Sequence, residues 1–228
     1  MIFLYIEFFN DITGMLAVIT GDIINSRKLE NPKEWLFPIK NLFSSIGEEK
    51  KTWEIFRGDS FQIEIKDPMD ALLVALKVKA TIKSISDKDK SIRQSPVDVR
   101  MAIGIGEGSI GGTNIGEKVG SAYIRSGEAF ESLKRNSSNL LLNSGWPNLD
   151  RDFNFTLKFA LILMDNWTIS SAETIKIILE CPELKQVELA KILGIEQNSV
   201  SGRIQRGFLG EILELERFFR LKLKEQML

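Results

Sequence analysis

The 228-residue chain has no histidine, one cysteine (Cys181), and 30 basic against 31 acidic residues, a formal net charge of −1. Without histidine there is no Ser-His-Asp triad, no His-assisted cysteine protease and no His-liganded zinc. A single cysteine excludes intrachain disulfides, Cys-rich zinc sites and iron–sulfur clusters. Acid–base or metal chemistry therefore falls to Asp, Glu, Lys, Arg, Tyr, Ser or backbone groups.

With 43% apolar and 27% charged residues the composition is that of an ordinary globular protein with a sizeable core. Absent disulfides fit a reducing cytoplasm, and no apolar run is long enough to span a bilayer. The balanced charge gives no overall field for coating nucleic acid. Residues 1–14, MIFLYIEFFNDITG, lack a basic segment and a small-residue cleavage site, which argues against a secretory signal. Met15 opens the run MLAVITGD. Two readings stay open: 1–14 as an upstream extension, or as an added strand or helix.

Leu16–Thr20 is a continuous apolar run, as in a buried central strand. Pro32 opens a helical pattern that places Trp35, Leu36, Ile39, Leu42, Phe43 and Ile46 on one face. Trp53–Phe56 and Phe61–Ile65 predict a β-hairpin turning through Arg57-Gly58-Asp59-Ser60. Asp67-Pro68 reads as the start of a helix carrying Leu72, Ala75, Leu76, Lys79, Ile82 and Ile85. A charged, Ser-rich loop, 86–95, precedes an alternating strand, Val97 to Ile105. A Gly-rich segment, 104–120, leads into a helix over about 121–135, and Leu140–Leu142 predicts a last short strand. The order β-α-β-β-α-β-α suits an α/β (α+β) domain over 15–145, with a ferredoxin-like or polymerase-palm sheet and helices on one face. Asn143–Asn148 is the expected boundary to an all-helical domain over 150–228, with helices over 155–166, 171–180, 185–193, 198–206 and 211–224.

Asp22 follows the first strand and Asp59 sits at the hairpin tip, so a β-α-β-β sheet brings both to one end. Adjacent carboxylates repel, and a divalent cation neutralises them. Hard oxygen ligands favour Mg²⁺ or Mn²⁺, which in turn hold phosphates. Gly21, Arg57, Gly58 and Ser60 flank the pair and are the candidate phosphate- or nucleotide-binding positions. The competing reading makes each Asp a turn residue beside its glycine. Gly106 to Gly111 fits G-x-G-x-x-G after a strand, but Thr113-Asn114-Ile115-Gly116 follows where a dinucleotide fold has a helix. No P-loop motif is present.

Thr20–Ser26, Phe56–Phe61, Val99–Gly106 and Gly120–Phe130 resemble, in order and spacing, four motifs of class III nucleotidyl cyclases. The resemblance covers about 15–140 and implies a metal–nucleotide site. It also implies an Asn and an Arg on the last helix, where Ile124 and Glu128 stand, so it does not support cyclisation. With its helix-turn-helix tail the whole layout resembles the SatD family of small bacterial proteins, which implies the architecture and no particular activity.

Residues 185–207 carry the most specific motif. Ala190 is small at an expected helix crossing and Gly194 falls at the turn. Leu189, Leu193, Ile195, Val200 and Ile204 are placed for a small core. The spacing resembles the region-4-like helix-turn-helix of sigma factors. That resemblance makes 198–206 a recognition helix presenting Gln197, Asn198, Ser199, Ser201, Arg203, Gln205 and Arg206 to DNA. Protein contact or packing is the competing use. The apolar face of the last helix is core or a homodimer interface. The sequence thus predicts a cytoplasmic transcriptional regulator that binds DNA and senses a metal–nucleotide or phosphate ligand. The alternative is an active cyclase or phosphotransfer enzyme using Asp22 and Asp59.

Overall fold

The computed structural model describes residues 14–56, 58–86, 93–108, 112–133, 135 and 138–227. The expected strand or helix within 1–14, Arg57 and the center of the 86–95 loop lie outside the described residues. Five strands form one mixed sheet in the order β2-β3-β1-β4-β5: β1 (Met15–Ile24), β2 (Trp53–Ile55), β3 (Ser60–Ile65), β4 (Asp98–Glu107) and β5 (Leu140–Asn143). The β4–β5 pair is parallel and the rest are antiparallel. The β-α-β-β-α-β order is the one expected, with α1 (Lys33–Ile46) after β1 and α2 (Ala71–Lys83) after β3. Asp67 accepts a hydrogen bond from the Met69 amide, and Pro68 opens the 3-10 turn that leads into α2.

Helices cover both faces of the sheet, not one. Strand alternation puts Ala17, Ile19 and Ile23 on the face that packs against α1 and α2, where Phe43 meets Trp53 and Phe61. Val18 and Ala102 point the other way, under α3 (Ser121–Leu133), against Ala122, Tyr123, Ala129 and Phe130. A strand buried on both sides reads as a continuous apolar run, so Leu16–Thr20 carried this information. Gly104 and Gly106 let α3 settle onto β4: a Cβ on Gly104 would lie 2.2 Å from the Ala122 carbonyl and 2.3 Å from the Ser126 amide.

α4 (Pro147–Asp165) begins within the Asn143–Asn148 segment, with Pro147 in its first turn. α5 (Ile169–Glu180), α6 (Gln186–Leu193), α7 (Gln197–Arg206) and α8 (Leu209–Met227) follow. One hydrophobic core runs from the sheet through α2 into α4, α5 and α8. Trp167, fully buried, donates its indole N–H to the Gly207 carbonyl at 2.8 Å. Among the described residues, no helix is long and apolar enough to cross a membrane.

Candidate functional site

The first strand, the hairpin and β4 meet where the sequence placed its two aspartates. Asp22 lies directly across the ladder from Arg100 on β4 and from Ser60 on β3. After Ile24 the chain turns through Asn25, whose left-handed conformation (φ 60°) an Asn tolerates better than most residues, into a 3-10 turn, Ser26–Lys28. That turn folds back over the hairpin tip. The Ser26 hydroxyl donates to Asp59 Oδ2 at 2.5 Å, and the Ile23 amide donates to the Asp59 carbonyl at 3.0 Å. Gly58, at φ 101°, supplies the backbone geometry of the tip.

Asp22, Asp59, Arg100, Ser26, Arg27 and Lys28 line one open cleft of about 430 Å³. Arg100 grips both oxygens of Asp22, Nε to Oδ1 at 3.0 Å and Nη2 to Oδ2 at 2.6 Å. This hydrogen bond raises the Arg100 pKa above the ordinary guanidinium value. Burial opposes the shift, and the charges of Asp22 and Asp59 add to it. The cleft therefore mixes two carboxylates with three cations. Among the described residues there is no group of three or more Asp, Glu, Cys or His that would cage a metal alone. Two carboxylates with a hydroxyl nearby still suit Mg²⁺ or Mn²⁺, which bind through one or two carboxylates and complete their shells with water and phosphate oxygens.

Not every predicted position belongs to this cleft. Gly21 faces away from it: a Cβ there would lie 2.4 Å from the Phe61 ring and 2.7 Å from the Arg100 carbonyl, so its role is close packing against the core face. Ser60 is the ladder partner of Asp22. Gly58 shapes the turn, with open space where its Cβ would be. Arg57 lies outside the described residues. Asn25, Ser26, Arg27 and Lys28 join the cleft without being among the predicted site residues, and their one signal in the sequence is a polar, basic run directly after a buried strand. Arg125 is committed elsewhere, donating to the carbonyls of Ile105 (2.6 Å) and Ser144 (3.2 Å), and Ile124 is exposed.

A second polar cluster lies farther along the same face. Ser126 and Thr20 hydroxyls are 2.9 Å apart, and Gln62 donates to Thr20 at 3.3 Å. Glu64 Oε2 accepts from Lys118 at 2.7 Å and from the Tyr123 hydroxyl.

In the C-terminal helices, α6 and α7 pack through Leu189, Ala190 and Val200. Gly194 makes the left-handed turn between them (φ 64°). Glu188 accepts from the Lys185 amide at 2.8 Å, fixing the start of α6. Gln197, Asn198, Ser199, Gln205 and Arg206 are exposed, and Ser201 is half-buried. Arg203 is turned inward onto α5, donating to Glu173 at 3.2 Å and to the Ser170 carbonyl at 3.5 Å. It sits on the flank nearer Val200, away from the exposed face of α7.

No family model and no curated protein matches the chain. Among solved structures, the active GGEEF domain of a diguanylate cyclase from Vibrio cholerae aligns at 20% sequence identity. The alignment covers 55% of this chain and 80% of that one, with a TM-score of 0.36. At that score the likeness bears neither on the site nor on activity.

Proposed function

We propose that the Asp22–Asp59 cleft binds a divalent cation together with a nucleotide or other polyphosphate, and that the chain couples this binding to DNA contact through α6 and α7. The observation that carries the reading is the convergence of both carboxylates with Arg27, Lys28 and Arg100 on one open cleft. Asp22 and Asp59 would hold Mg²⁺ or Mn²⁺, and the three cations would meet the phosphate oxygens. When bound, the cation supplies charge neutralisation and orientation of the phosphates. The paired helices with a left-handed glycine turn, and the exposed Asn198, Gln205 and Arg206 on α7, support the DNA half as a helix-turn-helix. A homodimer would double that local patch on a chain with almost no net charge.

Titrating ATP and GTP with Mg²⁺ into wild type and Asp59→Ala tests the ligand half. The expected result is binding to wild type and a loss of about tenfold or more in the variant; no binding to either removes it.

A second reading, phosphoryl or nucleotidyl transfer, has its own support. Cyclase-like chemistry needs a cation near the departing phosphate, and Arg27 and Lys28 lie in the cleft although α3 offers none there. A product assay with the four nucleoside triphosphates and Mn²⁺ separates an enzyme from a binding module.

A further inference from the structure

The cleft holds a contradiction for any cation. Both oxygens of Asp22 are taken by the fork of Arg100, at 3.0 and 2.6 Å. A guanidinium in that bidentate position takes one lone pair on each oxygen, the pair a chelating metal would use, and sets its own positive charge against the metal's. It does not lose its proton at any accessible pH, so it leaves Asp22 only by swinging away. Its position allows this, because the Arg100 side chain is 31% exposed at the cleft surface and the Asp22 side chain 17%. Once displaced, Arg100 is a positive charge beside Arg27 and Lys28, and with Asp22 and Asp59 both turned to the cation it needs another anion.

Resting on the proposal that this cleft takes a cation with a polyphosphate, we infer that Arg100 couples the two. It masks Asp22 while the cleft is empty, and transfers its two hydrogen bonds to a phosphate oxygen when a cation takes the carboxylate. A cation alone must break the pair and leave Arg100 unpaired. A polyphosphate alone must draw Arg100 from Asp22 and leave that carboxylate facing further negative charge. Bound together, the two ligands avoid both penalties, and thermodynamic reciprocity makes each strengthen the other equally. The device selects a metal–polyphosphate complex over either free metal or free phosphate.

The test uses the full chain, with Mn²⁺ alone and preformed Mn²⁺–tripolyphosphate as probes, titrated by calorimetry into wild type, Arg100→Gln and Arg100→Lys. Far-UV circular dichroism confirms folding. Arg100→Gln should bind Mn²⁺ alone about tenfold more tightly than wild type, and the complex about tenfold more weakly. Arg100→Lys should also unmask Asp22, since a point charge cannot clamp both oxygens, but retain much of the affinity for the complex. If wild type binds the complex while both variants leave Mn²⁺ affinity unchanged or weaker, the coupling role is overturned and the cleft reading stands. If wild type binds neither probe but Arg100→Gln takes up Mn²⁺, the masking role stands and the polyphosphate reading falls. If no variant binds either probe, both fall.

Discussion

Lys79 on α2 donates to Asp98 at the start of β4 (2.6 Å) and to Asp165 at the end of α4 (2.5 Å), with only 3% of its side chain exposed. Lys83, one turn on, reaches Asp98 at 3.4 Å and the Asp165 carbonyl at 2.8 Å, and Asn139 donates to the other Asp165 oxygen at 3.2 Å. One buried network ties the sheet to the helices beyond it. Removing one partner of such a pair strands a buried charge, so Asp98→Asn is expected to destabilise by about 3 kcal/mol. Asp165→Asn should cost less, since that side chain is 36% exposed. Urea unfolding of both variants measures the difference, and equal costs would mean that the network is not centered on Asp98.

Tyr123 gives the fold an alkaline limit. Burial, with the hydrogen bond to Glu64 second, pushes its phenol above the ordinary range. A group whose native pKa exceeds its unfolded one supports the fold fully below the unfolded value and loses that support as pH rises past it. Stability is therefore expected to fall above about pH 10, and Tyr123→Phe to flatten the fall. In a Tyr5→Phe background, which leaves one of the two tyrosines, phenolate absorbance should rise only with unfolding.

Two glycines on α3 and the strand beneath it predict opposite outcomes. Gly104→Ala drives a methyl into the α3 backbone and should destabilise by about 2–3 kcal/mol, since the helix must lift. Gly127, inside α3, has open space where a Cβ would sit, so Gly127→Ala should stabilise by about 0.5–1 kcal/mol. Thermal unfolding of the pair checks both signs.

Arg206 and Arg203, three residues apart on α7, should separate DNA contact from packing. Arg206→Ala is expected to weaken duplex binding and lower the salt slope by about one ion. Arg203→Ala should lower the melting temperature by releasing Glu173 and leave the slope alone. Fluorescence anisotropy over a salt series reads the first and calorimetry the second. Wild type that binds no duplex ends the DNA reading.

Much of this architecture was legible from periodicity. The alternation from Val97 to Ile105 marks β4, although α3 also buries the strand's other face from Ala102 on, and the 53–65 segment folds as the expected hairpin. The convergence of Asp22 and Asp59 followed from strand order alone. What periodicity cannot carry is register. The partner of Asp22 stands 78 residues away, and only the β1–β4 ladder sets Arg100 opposite it. Lys79 likewise falls at an apolar helical position, and nothing local announces the two carboxylates that satisfy it. In the Asn143–Asn148 segment Gly145 turns the chain and Pro147 starts the next helix, the local roles their residue types suit.

The sheet has uneven margins. Its inner strands β1 and β4 run ten residues each, while the outer strands β2 and β5 have three and four. Short outer strands leave little unpaired backbone for another chain to extend, which is how native sheets resist edge-to-edge association. A fragment ending before Leu140 would lose that protection. It would present the full length of β4, with apolar residues on both faces, as an open template. Any dissection of this protein into halves should therefore keep β5 with the sheet, or expect fibrils in place of a soluble domain.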